Sequence, residues 1–592
     1  MERIDIVHEP PSRVAQNAPP ERAGAAPSQM APANAERPAD ERGYAHRWAA
    51  TSVLLFASAL DLIDSTIVNV AIPSIQRDLG TSYAAIQWVV AGYALAFALL
   101  LVTGGRLGDI FGRKRMFIAG VVGFTLASAL SGAAVSPAML IGARVFQGAA
   151  AAIMVPQVLA ILQVMFPPKE RPAAFGVYGA ILGLTAVVGP ILGGVIVQAN
   201  LFGLEWRPIF YLNVVVGAVA VVAATLTVPD SKAPQALKLD LVGVLLLTLA
   251  LGMLLVPLIE GRELGWPTWG FALMIAAAPT LALFVLYEWY KTRRDGSPLV
   301  VLALFRQRAF VAGMIVNLLF FGAFSAFTFT LALYLQIGLG FSPLTAGLTL
   351  LPFSIGSVVG SMASIPLPQR LGRRIVAVGM LIMTVAMGGL LLTVQFSGTV
   401  ATPWTLTPAT LVAGLGFGMV VVRLVDIILA GVHQRDAGSA SGVFGATNQL
   451  GGAIGVALIG VLFFGLLTSQ AVANANAVAP QLRGGLQAAG VPTQAQAPIV
   501  SQFTTCFHDR AAEKDPTVIP PSCQQPHGAN GTQPAASQRI TQVITHAAQT
   551  ANARNFAQAI ERILWYLTCA FLASLLLLFL LPAEARKNEQ VV

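Results

Sequence analysis

Fourteen apolar runs, each near or above the roughly 20 residues that carry a helix across a bilayer, leave this chain little choice but a membrane. They span approximately 49–71, 85–104, 116–135, 138–165, 173–199, 207–229, 240–259, 269–290, 309–335, 343–366, 374–395, 405–430, 438–467 and 561–582. Polar backbone in hydrocarbon must bond within its own segment, so runs of this length read as helices. Composition agrees: charged residues make up 11% of the 592, against about 25% in soluble domains. The expected class is all-α and polytopic.

An even number of spans puts both termini on one side, and the basic residues choose it. The loops after even-numbered spans and the C-terminal tail carry nineteen Lys and Arg; the short loops after odd spans carry three, Arg77, Arg207 and Arg262. Both termini are therefore expected in the cytoplasm, in an inner or plasma membrane. The net charge of +9 is spread through loops rather than gathered on one face, which argues against nucleic acid. Residues 1–47, rich in Pro and Ala, read as a disordered tail. Bundles over 48–229 and 296–582 follow, separated by two linker spans over 230–295 and ending in a tail over 583–592. An extracytoplasmic stretch of polar, Ala- and Gln-rich residues at 468–557 interrupts the second bundle.

Several polar groups sit where apolar ones are cheaper. Asp61 and Asp64 lie near the middle of span 1, on one helix face; each costs about 2.5–3.5 kcal/mol there if ionised and unpaired. They read either as proton carriers facing a cavity or as carboxylates neutralised by structural partners. Arg144, inside span 4, either pairs with them or fixes packing locally. Arg423 and Asp426 in span 12 are one turn apart, and read as a structural pair or as part of an inner gate. In span 5, Gly189, Pro190, Gly193 and Gly194 would let helices approach closely and bend. The turn Gly104–Phe117, GGRLGDIFGRKRMF, combines four basic residues with Asp109 and with glycines at 104, 105, 108 and 112. Gln369–Arg374 echoes it 260 positions later, with Gln369 in the place of Asp109. Cys506 and Cys523, on the oxidising side, are either a disulfide or free thiols; His508 and His527 nearby match no common zinc spacing.

In order, LIDSTIVNVAIP, QWVVAGYALAFALLL, GGRLGDIFGRKR, RVFQGAAAAIMVPQ, VVGPILGGVI, WRPIFYLNVVVG and ASGVFGATNQLGGAIGVALIG resemble the motifs of the fourteen-span drug:proton antiporter family of the major facilitator superfamily. That resemblance implies two six-helix bundles plus two central spans, working by alternating access. It places Asp64 on the span 1 acid and leaves Asp61 as an extra. Arg144 falls on the arginine associated with proton transfer, and Gly189, Pro190, Gly193 and Gly194 fall on the antiporter signature, with Thr185 where a Gly often stands. Gly105, Asp109, Gly112 and Arg113 fall on the inner gate, where Asp109 would meet the start of span 13 near Ser439 and Ser441. Ile110 departs from that pattern. Asn448 and Gln449 stand where some members carry an acid.

The function expected is proton-driven export of hydrophobic or amphiphilic toxic compounds. The alternatives are export of one dedicated metabolite or siderophore-like compound, and a membrane sensor on a transporter fold. No nucleotide-binding loop and no H-E-x-x-H occurs, so neither an enzyme nor a cofactor or metal site is expected. The expected partners are small amphiphiles, protons and lipid, with a periplasmic adaptor a further partner in a Gram-negative cell.

Overall fold

The structure is a computed structural model that describes residues 47–579, apart from 168–169, 233–237, 262–263, 365–366, 368–370, 430–436, 514–518 and 525–533. The tails 1–46 and 583–592, part of the turn at Gln369 and His527 lie outside the described residues, as do the side chains of Asp426, Ser439 and Ser441. The described residues are helical throughout, with short turns between helices and no strand.

The first half comprises α1 (Arg47–Leu79), α2 (Tyr83–Phe111), α3 (Arg113–Gly132), α4 (Pro137–Met165), α5 (Arg171–Ala199) and α6 (Pro208–Thr227). Two further helices, α7 (Leu241–Glu260) and α8 (Thr268–Arg294), lead to the second half: α9 (Arg308–Leu333), α10 (Pro343–Ser364), α11 (Gly372–Ser397), α12 (Pro403–Leu429), α13 (Ala437–Ala488) and α15 (Pro534–Leu578). Between the last two lies α14 (Thr493–Ala512), which is too polar to cross a membrane. Thirteen helices are long and apolar enough to span a bilayer among the described residues; α5, with 29 residues, is the fourteenth. We call the side bearing the α2–α3 turn the basic face and the other the far face.

Local chemistry sets the ends of these helices. Ser82 and Ser136 accept the Ala85 and Met139 amides at 3.2 and 3.3 Å, capping α2 and α4. Gly112 ends α2 with φ +102°, a conformation that a side chain resists, and so turns the chain straight into α3. Close approach explains Gly104, whose Cβ would meet the backbone of Ala152 and Ile153 on α4. Gly105 has ordinary room, with Pro156 Cβ 3.7 Å away.

The greatest departure from the sequence reading follows span 13. The stretch 468–557, read as a polar interruption, is largely helix: α13 continues through Pro480 to Ala488 and α15 begins at Pro534. At 52 residues α13 is about 78 Å long, far more than the roughly 30 Å of a bilayer core. Its distal part joins α14 and the start of α15 in a small three-helix projection with its own core, built from Val478, Leu482, Leu486, Val500, Phe503 and Ala551. Positions 475, 478, 479, 482 and 486 repeat at helical spacing; because the apolar stripe is mostly alanine and valine among amides, it is faint in the sequence. At the base of the projection Asn474 Nδ2 donates to Asn555 Oδ1 at 3.1 Å and to Gln558 Oε1 at 3.0 Å. Cys506 on α14 and Cys523 in the following turn are joined as a disulfide, with Cα atoms 4.8 Å apart.

Candidate functional site

The centre of the first half is a buried polar constellation drawn from five helices. Asp64 on α1 is fully enclosed and Arg144 on α4 is 1% exposed. The Arg144 guanidinium forms a short ion pair with Asp64 Oδ2, and its Nε donates to the Val89 carbonyl on α2 at 3.2 Å. Asp64 Oδ1 accepts from Gln147 Nε2 at 2.9 Å and from Asn213 Nδ2, on α6, at 2.6 Å. Gln147 also accepts from Arg144 at 2.7 Å and donates to Ser128 Oγ on α3 at 2.8 Å. Every carboxylate oxygen therefore has a donor, which is the condition for keeping a charge in low dielectric.

Asp61 occupies the adjoining position. Partly exposed, it accepts a short hydrogen bond from the Tyr93 hydroxyl of α2, while the Tyr93 ring lies under the Arg144 guanidinium, 4.2 Å from its centroid. Tyr93 thus touches both acids' environments: its hydroxyl holds Asp61 and its face supports the cation held by Asp64. Of the two readings left open for Arg144, the geometry shows pairing with Asp64.

The glycines of α5 lie where backbones approach. A Cβ on Gly193 would meet Ile67 Cγ1 of α1 at 2.7 Å; one on Gly194 would meet Leu344 Cα of α10 at 2.8 Å. Gly347 of α10 reaches back to the Pro190 carbonyl, at 2.6 Å from an added Cβ. Gly189 faces Thr66 of α1. Gly189 and Gly193 therefore seat α5 on α1 within its own half, whereas Pro190 and Gly194 seat it on the other half, towards the far face. Thr185 is buried and returns its hydroxyl to the Ile181 carbonyl at 2.7 Å, satisfying the extra polar group within the helix.

On the basic face Asp109 accepts from Arg113 at 3.0 Å, one turn on, and Arg113 reaches towards the Ala160 carbonyl at 3.5 Å. The anticipated partners of Asp109, Ser439 and Ser441, fall outside the described side chains. Arg423 is buried and donates to the Ser364 and Leu367 carbonyls at the end of α10, the latter at 2.8 Å; Asp426, its anticipated neighbour, also lies outside the described side chains.

In the sequence Arg106 reads only as a loop charge. It is buried and donates to the carbonyls of Lys238 at 3.0 Å, Ser297 at 3.2 Å and Pro298, tying α2 to the segments that enter α7 and leave α8. Asp240 and Glu288 stand behind those segments, accepting the Leu299 amide at 3.1 Å and the Val300 amide at 2.9 Å. Gln147, Asn213, Ser128 and Tyr93 complete the site without standing out in the sequence, although each is a polar residue inside an apolar run, the same signal that marks Asp64.

The sequence profile of the Major Facilitator Superfamily matches residues 54–456. The chain is 44% identical over 582 residues, covering 96% of itself and 98% of the relative, to a protein named probable actinorhodin transporter from Streptomyces coelicolor. It is 36% identical over 406 residues, 68% of the chain and 73% of the relative, to the tetracenomycin C resistance and export protein of Streptomyces glaucescens. Among solved structures, an inward-facing, occupied bacterial homologue of the human lysosomal transporter Spinster aligns with TM-score 0.55 at 16% identity, over 91% of this chain and 97% of that one; at that identity the likeness concerns the fold. Profile, relatives and architecture converge: the chain is a multi-pass membrane protein and not an enzyme, and it belongs to the major facilitator superfamily of transporters.

Proposed function

We propose that the protein is a proton-coupled antiporter that exports hydrophobic or amphiphilic compounds, with its basic face and both termini in the cytoplasm. The observation that carries the coupling is the enclosed Asp64–Arg144 pair, with Gln147 and Asn213 completing the carboxylate's shell. A proton on Asp64 would cancel one charge of a pair whose stability depends on both, and leave Arg144 with Val89 and Gln147. The five helices converging there would then favour a different arrangement. The names of the relatives, among them a resistance and export protein, support export. The charge asymmetry of the loops supports the sidedness. Pro190 and Gly194 against α10 form part of the far-face closure that alternating access must open.

In the exchange cycle this implies, compound enters from the basic face while Asp64 is ionised, leaves at the far face, and a proton taken up there returns the carrier. Exchange of one proton for one monovalent cation moves no net charge and draws only on the pH gradient, about 1.36 kcal/mol per unit. A neutral substrate also draws on the membrane potential, about 2.3 kcal/mol per 100 mV. In everted vesicles, adding an exported compound should release protons from an acidified lumen in proportion to the compound taken up; compound uptake with no proton movement contradicts antiport.

A second reading, export of one dedicated compound, is favoured by the extent of the first match. Both relatives named above carry a single compound in their names, and the first aligns over nearly the whole of both chains. A panel of unrelated toxic compounds separates the readings: a broad exporter lowers susceptibility to several, a dedicated one to a single chemical type.

A further inference from the structure

Where the membrane bundle meets the three-helix projection lies a cavity of about 790 Å3, within the roughly 300–1,000 Å3 usual for small-molecule sites. Its floor is the far-face end of α1 and the turn after α9; its roof is α14 and α15. It is separate from the Asp64–Arg144 centre, none of whose residues line it. Gln336, on the floor, donates to the Val70 carbonyl of the other half at 3.0 Å, so the halves are joined beneath the cavity.

The lining is selective in two respects. Five aromatic rings face it: Tyr83, Phe341, Phe464, Phe507 and Phe556. Tyr83 and Phe464 pack on each other with centroids 4.0 Å apart and planes tilted by 34°, an aromatic corner against which a ligand's ring can rest. Among the charged groups, cations outnumber carboxylates. Arg77 and Arg510 contribute guanidinium groups against one carboxylate, Glu513. Gln76 is 5% exposed and its Nε2 has no acceptor among the described residues. A buried donor of that kind is uncommon in a folded protein, and a turn of the side chain into the adjoining cavity would bring it to an oxygen there.

We propose that this cavity is a binding chamber for an anionic aromatic compound, such as an aromatic carboxylate. Its rings would lie against Tyr83 and Phe464, and its oxygens would take the Gln76 amide and the two guanidinium groups. The proposal deepens the export reading by naming a ligand class, and rests on that reading only for the direction in which the compound passes. The chamber sits beyond the contact between the halves, so it would hold a compound that has left the central pathway, under a roof supplied by the projection.

The test is calorimetric titration of the full-length protein in nanodiscs with 2-naphthoate, the neutral 2-naphthamide and a naphthylmethylammonium cation. Naphthoate is expected to bind more tightly than the amide, and the cation most weakly. Gln76→Leu and Arg510→Gln should each weaken naphthoate by about tenfold, the scale of losing one hydrogen bond to a charged group. Gln76→Glu, which keeps the size and polarity of the side chain, should weaken naphthoate further while sparing the cation. Naphthoate should also slow the reaction of an impermeant thiol reagent with Ser342→Cys at the rim. Equal affinity for acid and amide, unchanged affinity in the Gln76 and Arg510 variants, or unprotected Ser342→Cys overturns the chamber. The titration is repeated on Asp64→Asn, where export is expected to be lost and naphthoate binding kept, so that failure of the coupling scheme and failure of the chamber register separately.

Discussion

At the scale of single residues, the arrangement around Asp64 makes different demands on its neighbours. Gln147 contributes a donor to Asp64 and an acceptor to Arg144, so Gln147→Leu leaves both charges short of a partner; a missing hydrogen bond to a buried group costs about 1–3 kcal/mol. We expect Gln147→Leu to insert and to reduce efflux at least tenfold, read by dye efflux at matched expression. Asp61→Asn keeps an acceptor for Tyr93 and should be milder than Asp64→Asn. Undiminished efflux in Gln147→Leu would remove the glutamine from the coupling shell. The sequence made the charged members of this cluster visible because a carboxylate or guanidinium in an apolar run is costly wherever it lands. The neutral members were not visible, since Ser128, Gln147 and Asn213 cost less singly and nothing in their spacing says that three helices bring them to one carboxylate. The same holds for Arg106: its membership of a charged turn was plain, but its burial depends on the chain folding back at Lys238 and Pro298.

Individual helices carry three further predictions. Because Gly194 faces the α10 backbone, Gly194→Val cannot be accommodated without separating the halves at the far face. It should insert and bind compound, yet fail to exchange, and a cysteine pair across α5 and α10 should crosslink less than in the parent. In the projection, Asp509 accepts from Ser522 at 2.6 Å; that bond, with help from His508, holds its carboxyl below the ordinary range. A depressed carboxyl stabilises above its unfolded value, about 3.9, and the contribution fades as pH falls through the lower folded value. The turn at Pro521–Cys523 should therefore keep its protection from amide exchange from neutral to mildly acid pH and lose it only below that. Asp509→Asn should lose it already at pH 7. The adjacent disulfide closes a loop worth about 3 kcal/mol in the chain-entropy model, so Cys506→Ser should loosen α14 while the bundle still folds; equal alkylation of both thiols without reductant would contradict the bond. Membrane helices were legible because hydrocarbon demands unbroken apolar runs of about one length. The projection was not, because helices packed in water need only a narrow stripe, and alanines, valines and a few larger side chains spaced among amides supplied it.

For the whole molecule, the architecture of two halves and two additional helices followed from counting apolar runs and from the ordered motifs. The proposed orientation rests on loop charge, and the projection supplies a place to check it. Gly484 is exposed near the distal end of α13, with open space around it. Gly484→Cys, with native cysteines replaced, should react with an impermeant thiol reagent applied to intact cells; reaction only after permeabilisation would invert the orientation. Energy conversion in the proposed antiport also belongs to this scale, because it would require the pair at Asp64 and the contact between halves to change together. The most direct measurement is compound uptake by proteoliposomes under an imposed pH gradient, comparing the parent protein with Asp64→Asn. The account predicts that Asp64→Asn loses gradient-driven uptake while expression, insertion and some compound binding survive; undiminished uptake with the parent's pH dependence would contradict it and remove Asp64 from the coupling mechanism.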